Sequence, residues 1–323
     1  MRTGAPIGVG LVGTGVHGAR YARHLRGDLP GLALRAIARR SEAGARQAAD
    51  WGCRWHPDWR ALVDDPAVEA VVAAATPDLN PALAAACAAA GKPLLIEKPL
   101  AANPADGEAM VAAMAARATP FTVAQTLRYN AVILALRAEL PRVGRLHGFT
   151  ACQRLERSSH PWLESPAVAG GGVILHTAVH LFDALRFVTG RELRRVRAVT
   201  RQRYNAALED QLLVQLELDG DLPGLADASK VGPARCGRYE FVGEAGQLQG
   251  DQIHGTLEFV EGLTVTPLAH PPLAPTLVPL LADWERHLRG RGPNPIPAAE
   301  GLAAIRICDA CRRSAASGDW ERP

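Results

Sequence analysis

Lysine is almost missing from this chain: Lys92, Lys98 and Lys230 are the only three among 36 basic residues. Arginine carries the rest of the positive charge, so a lysine kept at a strand end suggests a task that a guanidinium does poorly. An ammonium is compact and can lose its proton when buried, whereas a guanidinium keeps its own. Charge of one sign is also lacking. A formal net charge of +3 over 323 residues gives no support for nucleic acid or an acidic membrane as partner.

Long apolar runs are absent as well, since Gly8, Gly10 and Gly13 interrupt the first one and no stretch reaches about 18 uninterrupted apolar residues. No basic region precedes an apolar signal core, and the expectation is a cytoplasmic protein with no membrane partner. The six cysteines (Cys53, Cys87, Cys152, Cys236, Cys308 and Cys311) lack the spacing of a disulfide framework. Cys308 and Cys311 form a CxxC, but no second pair or histidine pair accompanies it, so both read as packing residues and no metal is expected.

What is present divides in two. The length favours two domains, here 1–125 and 126–323. In the first, apolar runs at Ile7–Val12, Leu32–Ala38, Trp51–His56, Val68–Ala75, Leu94–Ile96 and Phe121–Gln125 alternate with helical patterns, the signature of a doubly wound parallel α/β sheet. After about residue 126 the runs lengthen and alternate, at 146–155, 193–200, 211–218, 238–242 and 256–260. They predict a second α/β domain with a large, open, mostly antiparallel sheet.

Gly13, Thr14, Gly15, Val16, His17 and Gly18 form a GxGxxG between the first strand and a helix. Glycines at this spacing permit a tight turn, close approach of backbone to a pyrophosphate, and close helix packing, which points to a dinucleotide. Arg39 and Arg40 end the second strand where an acidic residue would bind a free ribose 2′-hydroxyl. The first carboxylate is Glu42, so the reading leans to NADP over NAD. Thr76-Pro77-Asp78 puts turn residues at the end of the fourth strand. Glu97-Lys98-Pro99 delivers a carboxylate and an ammonium to the end of the fifth, the edge at which such sheets bind ligands.

In the second domain, Gly170-Gly171-Gly172 leads into Val173–Asp183. A glycine run before a helix suggests backbone amides near a ligand, and His176 and His180 share one helix face. His180 and Asp183 are also close enough in sequence to meet. Arg128, Tyr129, His160 and Trp162 are candidates for a substrate wall, with packing as the plain alternative for each.

Taken together, the glycine loop, Thr76-Pro77-Asp78, Glu97-Lys98-Pro99, Gly170 to Asp183 and the closing 309–314 helix resemble the Gfo/Idh/MocA oxidoreductases, over nearly the whole chain. The resemblance implies a Rossmann domain followed by a substrate domain whose sheet makes a homodimer or homotetramer. It also implies that Lys98 lies beside the nicotinamide and substrate hydroxyl, that Glu97 helps hold the cofactor, that Lys98-Pro99 is a cis peptide, and that His180 is the general acid/base. His176 stands where the family commonly has aspartate, and it either bonds a substrate hydroxyl or shares a proton with His180. The expected activity is hydride transfer between NAD(P) and a sugar, cyclitol or related polyol. A redox-neutral reaction through transient oxidation, or a dinucleotide-binding regulator, are the alternatives.

Overall fold

The computed structural model describes residues 4–157 and 161–323. It divides into two units: residues 1–125 with 276–302, and residues 126–275 with 303–323.

The first unit is built on a six-stranded parallel sheet: β1 (Ile7–Val12), β2 (Leu32–Ala38), β3 (Arg54–His56), β4 (Ala70–Ala73), β5 (Leu94–Glu97) and β6 (Phe121–Ala124), in spatial order β3-β2-β1-β4-β5-β6. β1, β4 and β6 are buried along their whole length. Strands covered on both faces need such continuous apolar runs. The strand order reverses between β1 and β4, which sets a crevice at the carboxyl ends there.

Lys92 is a structural lysine, its ammonium donating to the carbonyls of Val63 and of Asp65, the latter at 2.8 Å. Residues 276–302, expected in the second domain, group with this first unit. Their helix Leu277–Leu288 buries Trp284 completely, and Arg289 donates to the carbonyls of Ala5 and Gly31 at 3.0 Å. Asn294 then joins β6 through Thr122 Oγ1 and the Phe121 carbonyl, at 2.9 Å each.

An eight-stranded sheet forms the second unit: β7 (Leu146–Glu156), β8 (Leu193–Arg201), β9 (Gln211–Leu218), β10 (Leu222–Gly232), β11 (Cys236–Gly243), β12 (Gly246–Asp251), β13 (Thr256–Glu261) and β14 (Thr264–Pro267). Their order is β14-β13-β12-β11-β7-β10-β9-β8, and every neighbouring pair is antiparallel except β7 with β10. Asn130 caps the helix Ala131–Glu139, its Oδ1 accepting from Val132 N and Ile133 N.

The stretch Pro166–Thr189 is long and apolar enough by composition to cross a membrane, but 78% of its most apolar window is buried inside the protein. That surface is spent on packing. Cys308 and Cys311 lie fully buried in the helix Ala298–Ser317, where burial pushes both thiols up, in keeping with packing roles.

Candidate active site

In the first unit the expected cofactor residues gather along one edge of the sheet. Gly13 has φ +85°, and a Cβ there would lie 2.5 Å from the Ala74 carbonyl, so the loop after β1 rests against the turn after β4. A Cβ on Gly18 would meet the Gly13 carbonyl at 1.9 Å, which packs the helix Val16–Gly27 hard against the loop. Gly15, by contrast, faces open space, with nothing within 4 Å of its would-be Cβ. The loop therefore leaves room at the one glycine where a pyrophosphate needs it. Val16 and His17 are exposed at its tip, and Thr14 is buried.

At the end of β2, Arg39 is held in place. Its Nε donates to Ser41 Oγ and its Nη1 to Gln47 Oε1, both at 3.0 Å, while Gln47 Nε2 donates to the Thr14 carbonyl at 3.3 Å. This chain of bonds ties the strand tip to the glycine loop. Arg40 is exposed next to it. Thr76 and Pro77 follow β4 at the start of a short 3₁₀ turn, with Pro77 buried. Beyond that turn Asn80 Nδ2 donates to the carbonyls of Pro99 and Leu100, at 3.3 and 3.1 Å.

Glu97 and Lys98 follow from β5, and the Lys98–Pro99 bond is cis. Glu97 Oε1 accepts from the hydroxyl of the fully buried Tyr21 at 2.8 Å, and Oε2 accepts from Lys98 N at 3.2 Å. Burial raises the Glu97 carboxyl, opposed by the Lys98 charge and the Tyr21 bond. Burial lowers the Lys98 ammonium, opposed by Glu97. An amine whose proton is easier to remove than that of an exposed lysine is suited to proton exchange with a hydroxyl.

The second unit corrects several expectations. The end of the glycine run turns its amides to the protein itself: Gly172 N and Ile174 N both donate to Glu209 Oε1, at 2.9 and 3.2 Å, and Val173 N donates to the Glu209 carbonyl at 2.7 Å. A carboxylate from the loop before β9 thus takes the positive end of the following helix. Gly172 is required because a Cβ would lie 2.0 Å from the Glu209 carbonyl.

His176 sits in a π-helical turn, Ile174–Ala178, and is buried. Its Nε2 lies 2.9 Å from the Ala169 carbonyl, which can only accept, so Nε2 carries a proton. Trp162 packs edge-on against its ring at 5.3 Å and 81°. Asp183 is fully buried and bound by Arg128: Nη2 donates to Oδ1 at 2.6 Å and Nε to Oδ2 at 3.0 Å. Arg128 also lies over the Phe187 ring. Trp162 and Arg128 are thus tied to His176 and to Asp183 within the unit. Tyr129 and His180 are partly buried in the same unit. His160 lies outside the described residues.

Tyr21, Gln47 and Glu209 were not anticipated from the sequence. Tyr21 falls on an apolar helix face that reads as core, and the Glu209 carboxylate is 37 residues from the amide it caps.

The comparisons with known proteins agree with this architecture. Residues 7–125 match the Gfo/Idh/MocA model described as an oxidoreductase family with an NAD-binding Rossmann fold, and residues 138–249 match the Gfo/Idh/MocA C-terminal domain. Inositol 2-dehydrogenase 1 of Saccharopolyspora erythraea is 31% identical, over 97% of this chain and 95% of its own length. Inositol 2-dehydrogenase of Acidothermus cellulolyticus is 30% identical, over 97% and 94%. Among solved structures, the aldose-aldose oxidoreductase from Caulobacter crescentus, complexed with glycerol, shares the fold with a TM-score of 0.89 at 20% identity, covering 98% of this chain and all of that one.

Proposed function

This chain belongs to the Gfo/Idh/MocA family of oxidoreductases, and from that premise we propose that it transfers a hydride between NAD(P) and a carbinol carbon of a sugar, cyclitol or related polyol. The observation that carries the reading is the sheet edge of the first unit, where a glycine loop with open space at Gly15 and a half-buried Lys98 with a lowered ammonium are set on the same row of strand ends. The nicotinamide, when bound, supplies the hydride chemistry.

The chain's own residues hold and move the proton. Gly13, Thr14, Gly15, Val16, His17 and Gly18 hold the pyrophosphate at the helix amino terminus, flanked by Thr76 and Pro77. Lys98 Nζ donates to the substrate oxygen or takes its proton, and His180 is the acid/base that the family resemblance implies. Glu97, tied to Tyr21, orients Lys98. A positioned acid/base of this kind contributes about 10² to 10⁴ in rate. His176, with its Nε2 proton committed to Ala169, positions the helix that carries His180, and Tyr129 lines the substrate side.

Of the two dinucleotides we favour NADP. Arg39 is oriented by Ser41 and Gln47 beside the glycine loop, Arg40 is exposed next to it, and two guanidiniums suit a ribose 2′-phosphate.

We also infer a homodimer or homotetramer through the uncovered face of the eight-stranded sheet. Val199, Leu213 and Leu225 remain 46%, 52% and 56% exposed on β8, β9 and β10. Contiguous exposed apolar residues of that kind mark association surfaces. The six free cysteines suit a reducing, cytoplasmic compartment.

The test is nicotinamide absorbance on the purified protein, with NAD and NADP in separate series, against sugars, cyclitols and their keto forms. A stoichiometric change with a member of the panel supports the reading. Turnover of the sugar with no net change in the cofactor replaces it by the redox-neutral reaction.

A further inference from the structure

Gln125 is the residue immediately after β6. Ala124 pairs with Glu97 across the parallel ladder, so Gln125 stands beside Lys98 at the carboxyl edge of the sheet. It is 1% exposed, and neither its Oε1 nor its Nε2 has a hydrogen-bond partner among the described residues. A carboxamide offers two donors and two acceptor sites, and buried polar groups are paired in nearly every case. A leucine or methionine would fill similar space without that demand. A glutamine here calls for a ligand with both a donor and an acceptor.

The order of strands says which ligand group reaches it. Arg39 marks the adenosine end on β2, the glycine loop on β1 marks the pyrophosphate, and β4, β5 and β6 continue in the opposite direction. The nicotinamide half of the dinucleotide therefore extends towards Lys98 and Gln125. Its ring bears a carboxamide, the one group there with an N–H donor and a carbonyl acceptor side by side.

We propose that the Gln125 side chain binds the nicotinamide carboxamide, Nε2 donating to its oxygen and Oε1 accepting from its N–H, and so fixes the orientation of the ring beside Lys98. The proposal rests on the dinucleotide reading above and names the residue that distinguishes the nicotinamide end.

Equilibrium binding tests it without turnover. Titrations of the full-length protein would compare the preferred dinucleotide, its 3-acetylpyridine analogue, in which a methyl replaces the amide nitrogen, and ADP-ribose or its 2′-phosphate, which lack the ring. The wild type is expected to bind the dinucleotide about tenfold more tightly than the analogue, the worth of one buried hydrogen bond. Gln125→Leu is expected to lose about tenfold or more for the dinucleotide, to lose the discrimination, and to bind the ADP-ribose form unchanged. Gln125→Met serves the same purpose if the leucine variant does not fold. Unchanged dinucleotide affinity, retained discrimination, or an equal loss for the ADP-ribose form overturns the proposal. A wild type that binds none of these compounds overturns the dinucleotide reading itself, and the proposal with it.

Discussion

The hydroxyl of Tyr21 donates to Glu97 Oε1 at 2.8 Å, joining the helix that follows the glycine loop to the carboxylate that precedes Lys98. The second Glu97 oxygen accepts from the Lys98 amide. One carboxylate thus couples the helix after the glycine loop to the residue given the proton chemistry.

Tyr21→Phe removes a bond that lowers Glu97, so the carboxyl rises further above its ordinary range. Because its folded value is already raised, the contribution of Glu97 to stability is complete below the ordinary carboxylate range and is lost as pH rises through the raised value. In Tyr21→Phe that loss is expected to move to higher pH, and in Glu97→Gln it disappears. Urea unfolding across pH checks both. Glu97→Gln also removes the charge that holds the Lys98 ammonium up, so the rise of the oxidation rate with pH is expected at lower pH than in the wild type.

Arg128→Met leaves a fully buried Asp183 carboxylate without its bidentate partner and is expected to cost about 3–5 kcal/mol of stability. Arg128→Met with Asp183→Asn is expected to recover most of that. Denaturant unfolding of the single and double variants decides the point. A stable single variant whose only defect is a raised KM would place Arg128 in the substrate wall.

Gly172→Ala forces a Cβ against the Glu209 carbonyl and is expected to cost about 1–3 kcal/mol, and Glu209→Ala about 1–2 kcal/mol by freeing two helix amides. Both are expected to reduce turnover by displacing the helix that carries His180, while dinucleotide affinity in the first unit stays within twofold or so. Thermal unfolding and nucleotide titration on the same samples separate the two effects.

Arg39→Ser is expected to weaken NADP binding about tenfold or more, with little change for NAD, since one charge-assisted contact to the 2′-phosphate is lost. Parallel titrations with both dinucleotides measure it. Equal losses would show that Arg39 serves the adenine or the loop in place of the phosphate.

The sequence makes the first sheet legible because strands buried on both faces must be apolar throughout, as in Ala70–Ala73 and Leu94–Ile96. The second sheet is legible only where one face stays wet and the residues alternate. Leu222–Gly232 carries Pro223, Gly224, Asp227, Ser229 and Gly232 and is not among the runs that read as strands, yet it is an interior strand paired with both β7 and β9. Its neighbours on either side overrule its weak propensity. The same holds for the site. Lys98 and the glycine loop announce themselves by local spacing, whereas the partners of Gly172, Asp183 and Glu97 lie 37, 55 and 76 residues away and only folding brings them together.

The most direct test of the account is Lys98→Met, with nicotinamide absorbance and dinucleotide titration read on one preparation. The expected result is turnover reduced by about 10² or more with dinucleotide affinity within a few-fold of the wild type. Normal turnover in Lys98→Met would contradict the assignment of proton transfer to this lysine and, with it, the central reading of the site.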